Sequence, residues 1–559
     1  MKTGIRKSGP LFLLLCILLL NGNQQVYAQF TSWVVDSTVD LIDGSGPRFS
    51  QVHPGDTLFI PAGHRDKLLI RNLNGGPGRP VIIMNNGGTV HLRTSHYYGL
   101  SVSACRYLRI TGAGSSPDIC GFQINEVRAG AGIGIGNRSS DIEIDHLLIE
   151  QCATAGIYAK TDPDCSLIAT REKFIQFNTL IHDNTIRQVA NEGMYIGSSF
   201  YSGMTIRCNG KDTLVEPPVL KGVQVYNNKV AYTGWDAIQV SSAVERCAIY
   251  GNTIEYDSQS ETDSQMSGIL IGGGSQCDCS HNLIRNGKGD GIEDHGLGSN
   301  RIYNNIIVDA GRSYFPDNPA KMKHGIFVSD VSVLKDSAFT IAFNTIIRPK
   351  SDGIRFQSVK SSNSLIVSNL IAEPGNYDYY GLGLTGFRGN DAFVMRPSPL
   401  SDVRIDHNFF TTDIKKGMVS ADFIPLTGSP LINQGYQYPL GITNDFRQQA
   451  RPCGDWFDIG AIEYTGGPDT LLSFPGFDPL VFPNPAHTEI RLRYLNRTGF
   501  STLIMLFDIQ GVPRWQQQVS FPVPGIRDYI IPVQQLTTGI YIISVRTGTK
   551  ARYVRMVKL

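Results

Sequence analysis

The sequence has almost no net charge and few charged residues of either sign. Its 559 residues include 50 Lys and Arg against 49 Asp and Glu, which gives a net charge of +1. Charged residues make up 18% of the chain, below the usual quarter. This balance offers no electrostatic attraction to nucleic acid or to an anionic membrane surface, so neither partner is predicted. The hydrophobic content of 41% is too high for a disordered protein and predicts a sizeable core.

Several catalytic and metal-binding motifs are missing as well. The sequence contains no G-x-S-x-G and no H-E-x-x-H motif. Cys277 and Cys279 form only a C-x-C pair, without a second Cys or His cluster at zinc spacing. These absences argue against a serine-hydrolase elbow, a zinc-protease helix and a structural zinc site. Most of the 10 cysteines are therefore interpreted as buried thiols, with two or three disulfides among them.

The N terminus is typical of a cleaved signal peptide, here residues 1–28. Lys2 and Arg6 precede an apolar run from Leu11 to Leu20, and Ala28 ends a VYA string suited to processing. The apolar run is too short to span a bilayer as a stable helix, and no later segment reaches transmembrane length. The sequence therefore predicts an exported protein without a transmembrane segment.

A short phrase recurs through the middle of the chain: an apolar residue, two variable residues, Asn, one variable residue and another apolar residue. Its asparagines are Asn184, Asn228, Asn252, Asn282, Asn305, Asn344, Asn369 and Asn408. A second phrase, a small residue followed by alternating apolar residues, starts at Gly156, Gly193, Ala237, Gly268, Gly291, Gly325, Gly353 and Gly381. Two short strands that repeat at a nearly fixed offset are the signature of a parallel β-helix.

The repeats predict which side chains stack on one another. Rungs of a β-helix lie about 4.8 Å apart, so equivalent residues form columns. The Asn column is expected to hydrogen-bond along the stack and to supply the left-handed backbone at a bend. In the second phrase, one column is expected to fill the core: Ile157, Met194, Ile238, Ile269, Ile292, Ile326 and Ile354. The next is expected to point outward: Tyr158, Tyr195, Gln239, Leu270, Glu293, Phe327 and Arg355.

Segments at both ends of the repeats resemble parts of a known superfamily. VHPGDTLFIPAG (52–63) and RPVIIMNNGG (79–88) resemble the opening of secreted pectate-lyase-like β-helix proteins. The stretch 428–464 resembles their closing segment. The resemblance implies an all-β fold with a right-handed parallel β-helix over 29–465. It does not imply one reaction, because lyases, hydrolases, epimerases and phage tailspikes share this coil.

The C-terminal region carries a second resemblance. An aromatic residue before PNP (Phe482 to Pro485), a D-x-x-G turn (Asp508 to Gly511) and the strand GIYIISV (Gly539 to Val545) occur in order. This order is similar to that of C-terminal sorting domains of type IX secretion substrates. The resemblance implies a small Ig-like β-sandwich over 477–559, after a linker at 466–476. It also implies the type IX machinery as a partner, passage across the outer membrane, and an extracellular or surface-attached protein.

One group of rungs concentrates side chains suited to acid–base chemistry on a sugar polymer. Two insertions, 256–266 and 311–323, are expected to flank the rung that holds Asp290, which predicts a cleft. The predicted catalytic residues are Asp290, Glu293, His295 and His324. The predicted substrate-binding residues are Asp236, Lys323, Phe327 and Arg355. A structural role for Asp290 stays open, because D-G-I is also a common turn before a coil strand.

Asp294 breaks the inward aliphatic pattern of the second phrase. A buried carboxylate is costly unless it is paired, so either the strand bulges and turns Asp294 outward, or a partner lies beside it. Asp257, Glu261 and Asp263 in the first insertion, together with Asp294, are the candidate ligands for Ca²⁺. No EF-hand or nonapeptide spacing supports this site, and no other cofactor is predicted.

The sequence leaves several functions open, all of them involving a polysaccharide or surface glycan. In a lyase, Arg355 or the loop lysines would neutralise a uronate carboxylate while His295 or His324 takes the α-proton. In a hydrolase, Asp290 and Glu293 would form the carboxylate pair. The alternative is a non-catalytic glycan-binding protein or adhesin, in which Tyr158, Tyr195 and Phe327 would stack on sugar rings. Lyase-type cleavage is favoured over hydrolysis.

Overall fold

The computed structural model describes most of the chain. The described residues are 31–114, 120–436, 440–465, 479–482, 484–496, 502–519, 525–547 and 550–559. The predicted signal peptide (1–28) and the predicted linker (466–476) lie outside them. Three columns of short parallel strands wind through residues 32–411 as successive rungs of a coil. This parallel β-helix and a separate antiparallel C-terminal domain match the predicted fold class.

The first two columns flank the Asn positions and join into one 23-stranded sheet. The strands before the Asn positions are Ser32–Val34, Thr57–Arg65, Val81–Leu92, Arg106–Thr111, Ser140–Asp145, Thr179–His182, Gln224–Tyr226, Cys247–Tyr250, Cys277–Ser280, Arg301–Tyr303, Thr340–Ala342, Ser364–Val367 and Val403–Asp406. The Asn-following strands are Phe122–Val127, Leu147–Cys152, Thr185–Val189, Lys229–Thr233, Thr253–Glu255, Leu283–Arg285, Ile306–Val308, Thr345–Ile347, Leu370–Ala372 and Phe409–Thr411.

The third column, which we name the site sheet, contains 12 strands and includes those of the second phrase from Ile157 to Phe356. They are Leu41–Asp43, Leu68–Arg71, Tyr98–Ser103, Ala131–Gly136, Ile157–Ala159, Met194–Ile196, Ile238–Val240, Ser267–Ile271, Asp290–Asp294, Ile326–Val328, Ile354–Phe356 and Val394–Met395. The predicted inward column is confirmed, since every member from Ile157 to Ile354 is fully buried in the coil core. Successive residues of each strand therefore point alternately into and out of the coil, and the inward side chains fill the interior.

Smaller elements decorate the coil. Ile175–Phe177, Val219–Lys221 and Ala243–Glu245 form a three-stranded sheet, and Met204–Cys208 pairs with Lys211–Val215 as a hairpin. The α-helix Tyr377–Gly381 and the 3-10 turns Gly389–Ala392 and Ile414–Gly417 follow late in the chain. No helix in the part of the chain that the structure describes is long and apolar enough to cross a membrane.

The C-terminal domain consists of two antiparallel sheets. One contains Leu480–Phe482, Glu489–Asn496 and Gly525–Pro532, and the other contains Thr502–Asp508, Pro513–Val519, Gly539–Thr547 and Lys550–Lys558. Ile490 and Ile531 from the first sheet share a core with Ile504, Ile543 and Met556 from the second. Because the two sheets bury one common core, the domain is a small β-sandwich, as predicted.

The asparagines form the predicted ladder. The backbone N–H of each Asn from 184 to 369 donates to the side-chain oxygen of the next Asn at 2.8–3.1 Å. Each amide nitrogen also donates to a main-chain carbonyl of the preceding rung, as Asn282 does to Ile249 at 2.9 Å. The ladder therefore satisfies buried backbone groups at the bend that has no room for water.

The left-handed backbone lies one residue earlier than predicted. Asp183, Asn227, His281 and Asn304 precede ladder asparagines and have φ between 53° and 57°. The ladder asparagines themselves do not have positive φ. The bend therefore requires αL at the preceding residue, while the Asn is selected for the hydrogen bonds of its side chain.

The rung after Ile354–Phe356 also differs from the prediction. The phrase at Gly381 was expected to form a strand, but Tyr377–Gly381 is helical and the sheet resumes at Val394–Met395. Gly383 and Gly386 have φ of 70° and 78°, a conformation that a strand does not use. The alternation of apolar residues in this segment therefore belongs to a glycine-rich insertion.

Two disulfides form in the coil, within the predicted number. Cys165 bonds to Cys208, and Cys247 bonds to Cys277 on the neighbouring rung. Cys279 is a buried thiol, as its place in the core column predicts. Cys277 therefore belongs to a disulfide.

We expect Asn282→Ala to lower the free energy of unfolding by about 3 kcal/mol, because it leaves several buried groups without partners. The change removes the acceptor of the Asn252 N–H and the donor to the Ile249 carbonyl. Urea titration of the purified chain measures the effect. Asn390→Ala is the matched control, since Asn390 is exposed. Equal stability of the two variants would contradict a stabilising ladder.

Candidate functional site

The outward column of the site sheet has the predicted register. Tyr158, Tyr195, Gln239, Leu270, Glu293, Phe327 and Arg355 are successive strand partners. Glu293, Phe327 and Arg355 therefore lie on three consecutive rungs. At the start of the same strands, Asp290 pairs with Ser267 of the preceding rung. The structure thus brings most of the predicted site residues onto one outer surface.

The ends of the two insertions meet over Asp290. Lys323, the last residue of the second insertion, donates to Asp290 Oδ2 at 2.8 Å and to the carbonyl of Met266 at 3.2 Å. Met266 ends the first insertion. Burial acts to lower the pKa of Lys323, but the charge and hydrogen bond of Asp290, together with the charge of Glu293, outweigh burial and raise it. Lys323 therefore stays cationic at the junction of the insertions.

Asp290 is held on both carboxylate oxygens. Its Oδ1 accepts from the backbone N–H of His324 at 2.5 Å, while its Oδ2 binds Lys323. The side chain is almost completely buried. A carboxylate with both oxygens engaged and little exposure is poorly placed to exchange protons with a polymer. Its evident role is to position Lys323 and the strand that begins near His324.

Glu293 and His295 form an ion pair on the outer surface. His295 Nε2 lies 2.8 Å from Glu293 Oε1, and Nδ1 lies 2.5 Å from the Ser329 hydroxyl. Burial acts to lower the pKa of His295, but the hydrogen bond and charge of Glu293 raise it. The ion pair therefore favours the protonated imidazole, which suits His295 to donate a proton rather than to accept one.

His324 is oriented by a buried carboxylate. Its Nδ1 lies 3.2 Å from Asp352 Oδ2, and the backbone N–H of Asp352 points at the same Nδ1 from 3.3 Å. The two contacts require different tautomers, since Nδ1 must carry a proton to bind the carboxylate and must lack one to accept from the N–H. We assign the Nδ1 proton to the carboxylate contact, because a charge-assisted hydrogen bond is the stronger one. Among the described residues, no hydrogen-bond partner reaches Nε2 of His324. In this tautomer the Nε2 lone pair is available as a base.

Asp352 is itself fixed by three further side chains. Arg355 donates to Asp352 Oδ2 at 3.1 Å, and Asn376 donates to Oδ1 at 3.1 Å. Tyr380, which is fully buried, also hydrogen-bonds to Asp352. Burial acts to raise the pKa of Asp352, but His324, Tyr380 and Arg355 outweigh burial and lower it. The carboxylate stays ionised and can stabilise a proton on His324.

Asn376 and Tyr380 were not predicted from the sequence. Both lie in the insertion that interrupts the repeat after Asp352, where no periodic signal marks their position. Ser329, the partner of His295, comes directly after the strand Ile326–Val328 and was not predicted as a site residue either. Its small hydroxyl gave no sign of a contact with the histidine of the preceding rung.

Asp236 and Glu192 lie in the same column as Asp290, on earlier rungs. Asp236 has no exposed surface, so the structure does not place this predicted substrate-binding residue where a polymer could touch it. Burial raises the pKa of Asp236 well above its usual range, and burial also raises the pKa of Glu192. Ser267 donates to Asp236 Oδ1 at 2.7 Å. Burial therefore favours the protonated form of Asp236 beneath the site.

The four candidate calcium ligands do not come together. Asp257 is buried and accepts from the Ser258 hydroxyl at 2.7 Å, and Glu261 binds Lys288 at 2.6 Å. Asp263 is exposed, whereas Asp294 lies in the core. Within the described ranges, the one group of three close metal-ligating side chains is Glu143, Asp145 and His182. Arg109 already binds Asp145 at 2.8 Å and Glu143 at 3.0 Å, so the guanidinium of Arg109 compensates the charge of these carboxylates.

Asp294 has a hydrogen-bond partner, and the strand does not bulge at this residue. The residue stays in register with Ile271 and Val328, and it remains fully buried. Asn300 donates to its Oδ1 at 2.6 Å, and Gly296 N–H donates to the same oxygen at 2.9 Å. Burial raises the pKa of Asp294 to about 6. Of the two explanations that the sequence left open, the buried partner is the correct one.

Family comparisons agree with this architecture. The model of the right-handed β-helix region matches residues 219–394. The model of the secretion system C-terminal sorting domain matches residues 480–558. The chain is a right-handed β-helix protein with a secretion sorting domain. The sorting domain indicates export across the outer membrane to the cell surface or the medium. No curated protein matches the chain.

The comparison with solved structures gives matches at low identity. An alginate lyase from Paenibacillus sp. str. FPU-7 is 13% identical, with a TM-score of 0.39 over 59% of this chain and 98% of that chain. A lacto-N-biosidase from Eubacterium ramulus is 12% identical, with a TM-score of 0.42 over 68% of each chain. The pectate lyase Pel9A is 11% identical, with a TM-score of 0.40 over 74% of this chain and 89% of that chain.

We expect Glu293→Gln to lower the pKa of His295 by about one pH unit or more, because removal of the paired charge leaves burial unopposed. The raised pKa in the folded state means that the pair stabilises the protein at acidic pH and that this stabilisation fades as pH rises through the raised value. NMR titration of the His295 ring measures the change. Glu245→Gln removes an exposed ion pair with Lys221 and serves as the control. An unaltered His295 titration would contradict the assigned ion pair.

Proposed function

We propose that this protein cleaves a uronate-containing polysaccharide by β-elimination on the outer surface of the site sheet. The observation that carries the proposal is the arrangement of His324. Asp352 orients the ring, the Nε2 atom has no partner within the described residues, and cationic Lys323 and Arg355 lie beside it. A base next to two cations is what abstraction of a proton beside a carboxylate requires.

The two cations are suited to hold the carboxylate of a uronate. Lys323 and Arg355 keep 15% and 17% of their side chains exposed, respectively. Each binds one protein carboxylate, so donors remain on the three-donor ammonium and the five-donor guanidinium. Neutralising the uronate carboxylate makes the adjacent C–H more acidic, because the negative charge that develops during proton removal is stabilised.

The elimination step assigns a role to each imidazole. His324 Nε2 takes the α-proton, the C–H electron pair forms the new C=C bond, and the glycosidic C–O bond breaks. Protonated His295 is the group that can supply a proton to the leaving oxygen, since Glu293 keeps it charged. Phe327 lies between the two rings, with centroids 5.8 Å from His324 and 5.9 Å from His295.

The hydrolytic alternative has less support. It requires Asp290 and Glu293 to act as acid and base, yet both oxygens of Asp290 are engaged and Glu293 is paired with His295. A general acid needs a proton that it can deliver to the glycosidic oxygen.

The test uses the full-length exported chain with alginate, polygalacturonate and galactomannan. Ultraviolet absorbance of unsaturated uronate and the release of reducing ends are recorded on the same samples. We expect both signals to rise with one of the two acidic polymers. His324→Ala is expected to lower the rate by about 100-fold or more, the usual contribution of a general base. His96→Ala changes an exposed histidine at an early rung and should leave the rate intact.

Three outcomes would overturn the proposal. Reducing ends without ultraviolet absorbance would indicate hydrolysis. If His324→Ala unfolds at the same temperature as the unmodified chain and keeps full activity, His324 is not the base. Retention of a glycan with neither signal would indicate a binding protein. In that case the exposed parts of Tyr158 and Tyr195, whose rings meet edge to face at 5.9 Å, are the leading contacts.

A further inference from the structure

A shallow open groove of about 650 Å³ lies at the corner where the chain passes from the Asn-following strands to the site sheet. We name it the corner groove. Small residues, including Ala153, Ala190 and Gly234, form its floor, and Gln151, Gln188 and Tyr232 line its rim. It crosses several rungs, all of them N-terminal to the rung of Asp290. The groove is therefore distinct from the surface that holds His324.

Two tyrosines occupy costly backbone positions beside this groove. Equivalent corner residues Gln188, Tyr232, Tyr256 and Asn286 all have left-handed φ, between 55° and 60°. Asn is favoured in this conformation, whereas a bulky aromatic residue there is a rare choice. Tyr232 and Tyr256 are also 50% and 36% exposed, so they contribute little to a core. Tyrosine therefore occupies two consecutive rungs at a position where the backbone favours other residues.

The two rings form an ordered platform. Their centroids are 4.8 Å apart and their planes differ by 7°. Parallel stacking fixes both rings while leaving part of their surface in solvent. Exposed aromatic surface held rigidly beside a groove loses little conformational freedom when a ligand binds. Such a platform matches the apolar C–H face of a sugar ring.

The other side chains that line the corner groove determine which charge a ligand can carry. Exposed Gln151, Gln188 and Gln259 supply amide donors and acceptors suited to hydroxyl groups. Among the described residues that line the groove, the one charged side chain is Arg128, which contacts Glu126 at 3.3 Å. A polyanion would meet little compensating charge here. The chemistry therefore favours an uncharged stretch of sugar chain.

The first insertion connects the corner groove to the candidate site. Its residues Gln259 and Ser260 line the groove and hydrogen-bond to the carbonyls of Thr233 and Gly234 at 2.9 and 3.0 Å. The same insertion ends at Met266, whose carbonyl accepts from Lys323. One continuous segment thus borders both surfaces, so a polymer that leaves one of them can follow the insertion to the other.

We propose that the corner groove is a second glycan-binding site, which holds an uncharged stretch of polysaccharide through Tyr232 and Tyr256. The site binds without taking part in bond cleavage. Its existence does not depend on the elimination chemistry assigned to His324. It adds to the candidate site a separate surface that keeps a polymer close to the protein.

The test is affinity electrophoresis of the full-length exported chain through gels that contain galactomannan, xyloglucan or glucomannan. We expect retardation in at least one of these neutral gels. The double variant Tyr232→Asn/Tyr256→Asn should lose about tenfold or more in affinity, equivalent to about 1.4 kcal/mol. Asn suits this backbone, as Asn286 on the next rung shows, so the variant is expected to fold. Tyr232→Phe/Tyr256→Phe keeps the rings and should keep most of the affinity.

Two controls separate this site from the proposed function. Tyr97→Asn removes an exposed tyrosine elsewhere on the coil and should leave the retardation unchanged. His324→Ala should also be retarded like the unmodified chain, whatever its effect on cleavage. The proposal is overturned if no neutral gel retards the protein, if the Asn double variant is retarded equally, or if only alginate or polygalacturonate gels retard it.

Discussion

The asparagine ladder is the constraint on which the rest of this structure depends. Each rung offers its backbone N–H to the amide oxygen of the next, so the bend between two strand columns has one relative height and one register. A shift of one residue would turn every core side chain outward. Because the ladder fixes register from Asn184 to Asn408, the chain can tolerate insertions of different lengths at the other corner without loss of the core.

Because insertions are tolerated, a repetitive coil can carry a functional site. The coil supplies a straight outer column, and the insertions supply side chains that reach across rungs. Lys323 comes from one insertion and Tyr380 from another, yet both act on carboxylates that the coil positions, Asp290 and Asp352. The buried acids then fix the charge or orientation of the imidazoles, of which His324 is buried and His295 is partly exposed. The rigid strands thus support the site, and the insertions at the corners supply side chains for recognition.

The periodic part of the molecule could be predicted from the sequence because periodicity reports facing and register directly. The inward and outward columns of the site sheet follow from spacing alone, and Glu293, Phe327 and Arg355 align as expected. Features without a period could not be predicted in this way. The segment that begins at Gly381, where the helix Tyr377–Gly381 ends, has the apolar alternation of a strand, and Asp236 is fully buried although it was predicted to contact a polymer. The partner of Asp294 lies six residues along the chain, in a turn that carries no repeat signal.

The disulfide between Cys247 and Cys277 has a consequence for the register of the coil. The two cysteines are 30 residues apart in sequence but are direct partners on adjacent rungs. A slip of one residue between these rungs would point one thiol away from the other. The covalent bond therefore prevents the two rungs next to the candidate site from sliding past each other.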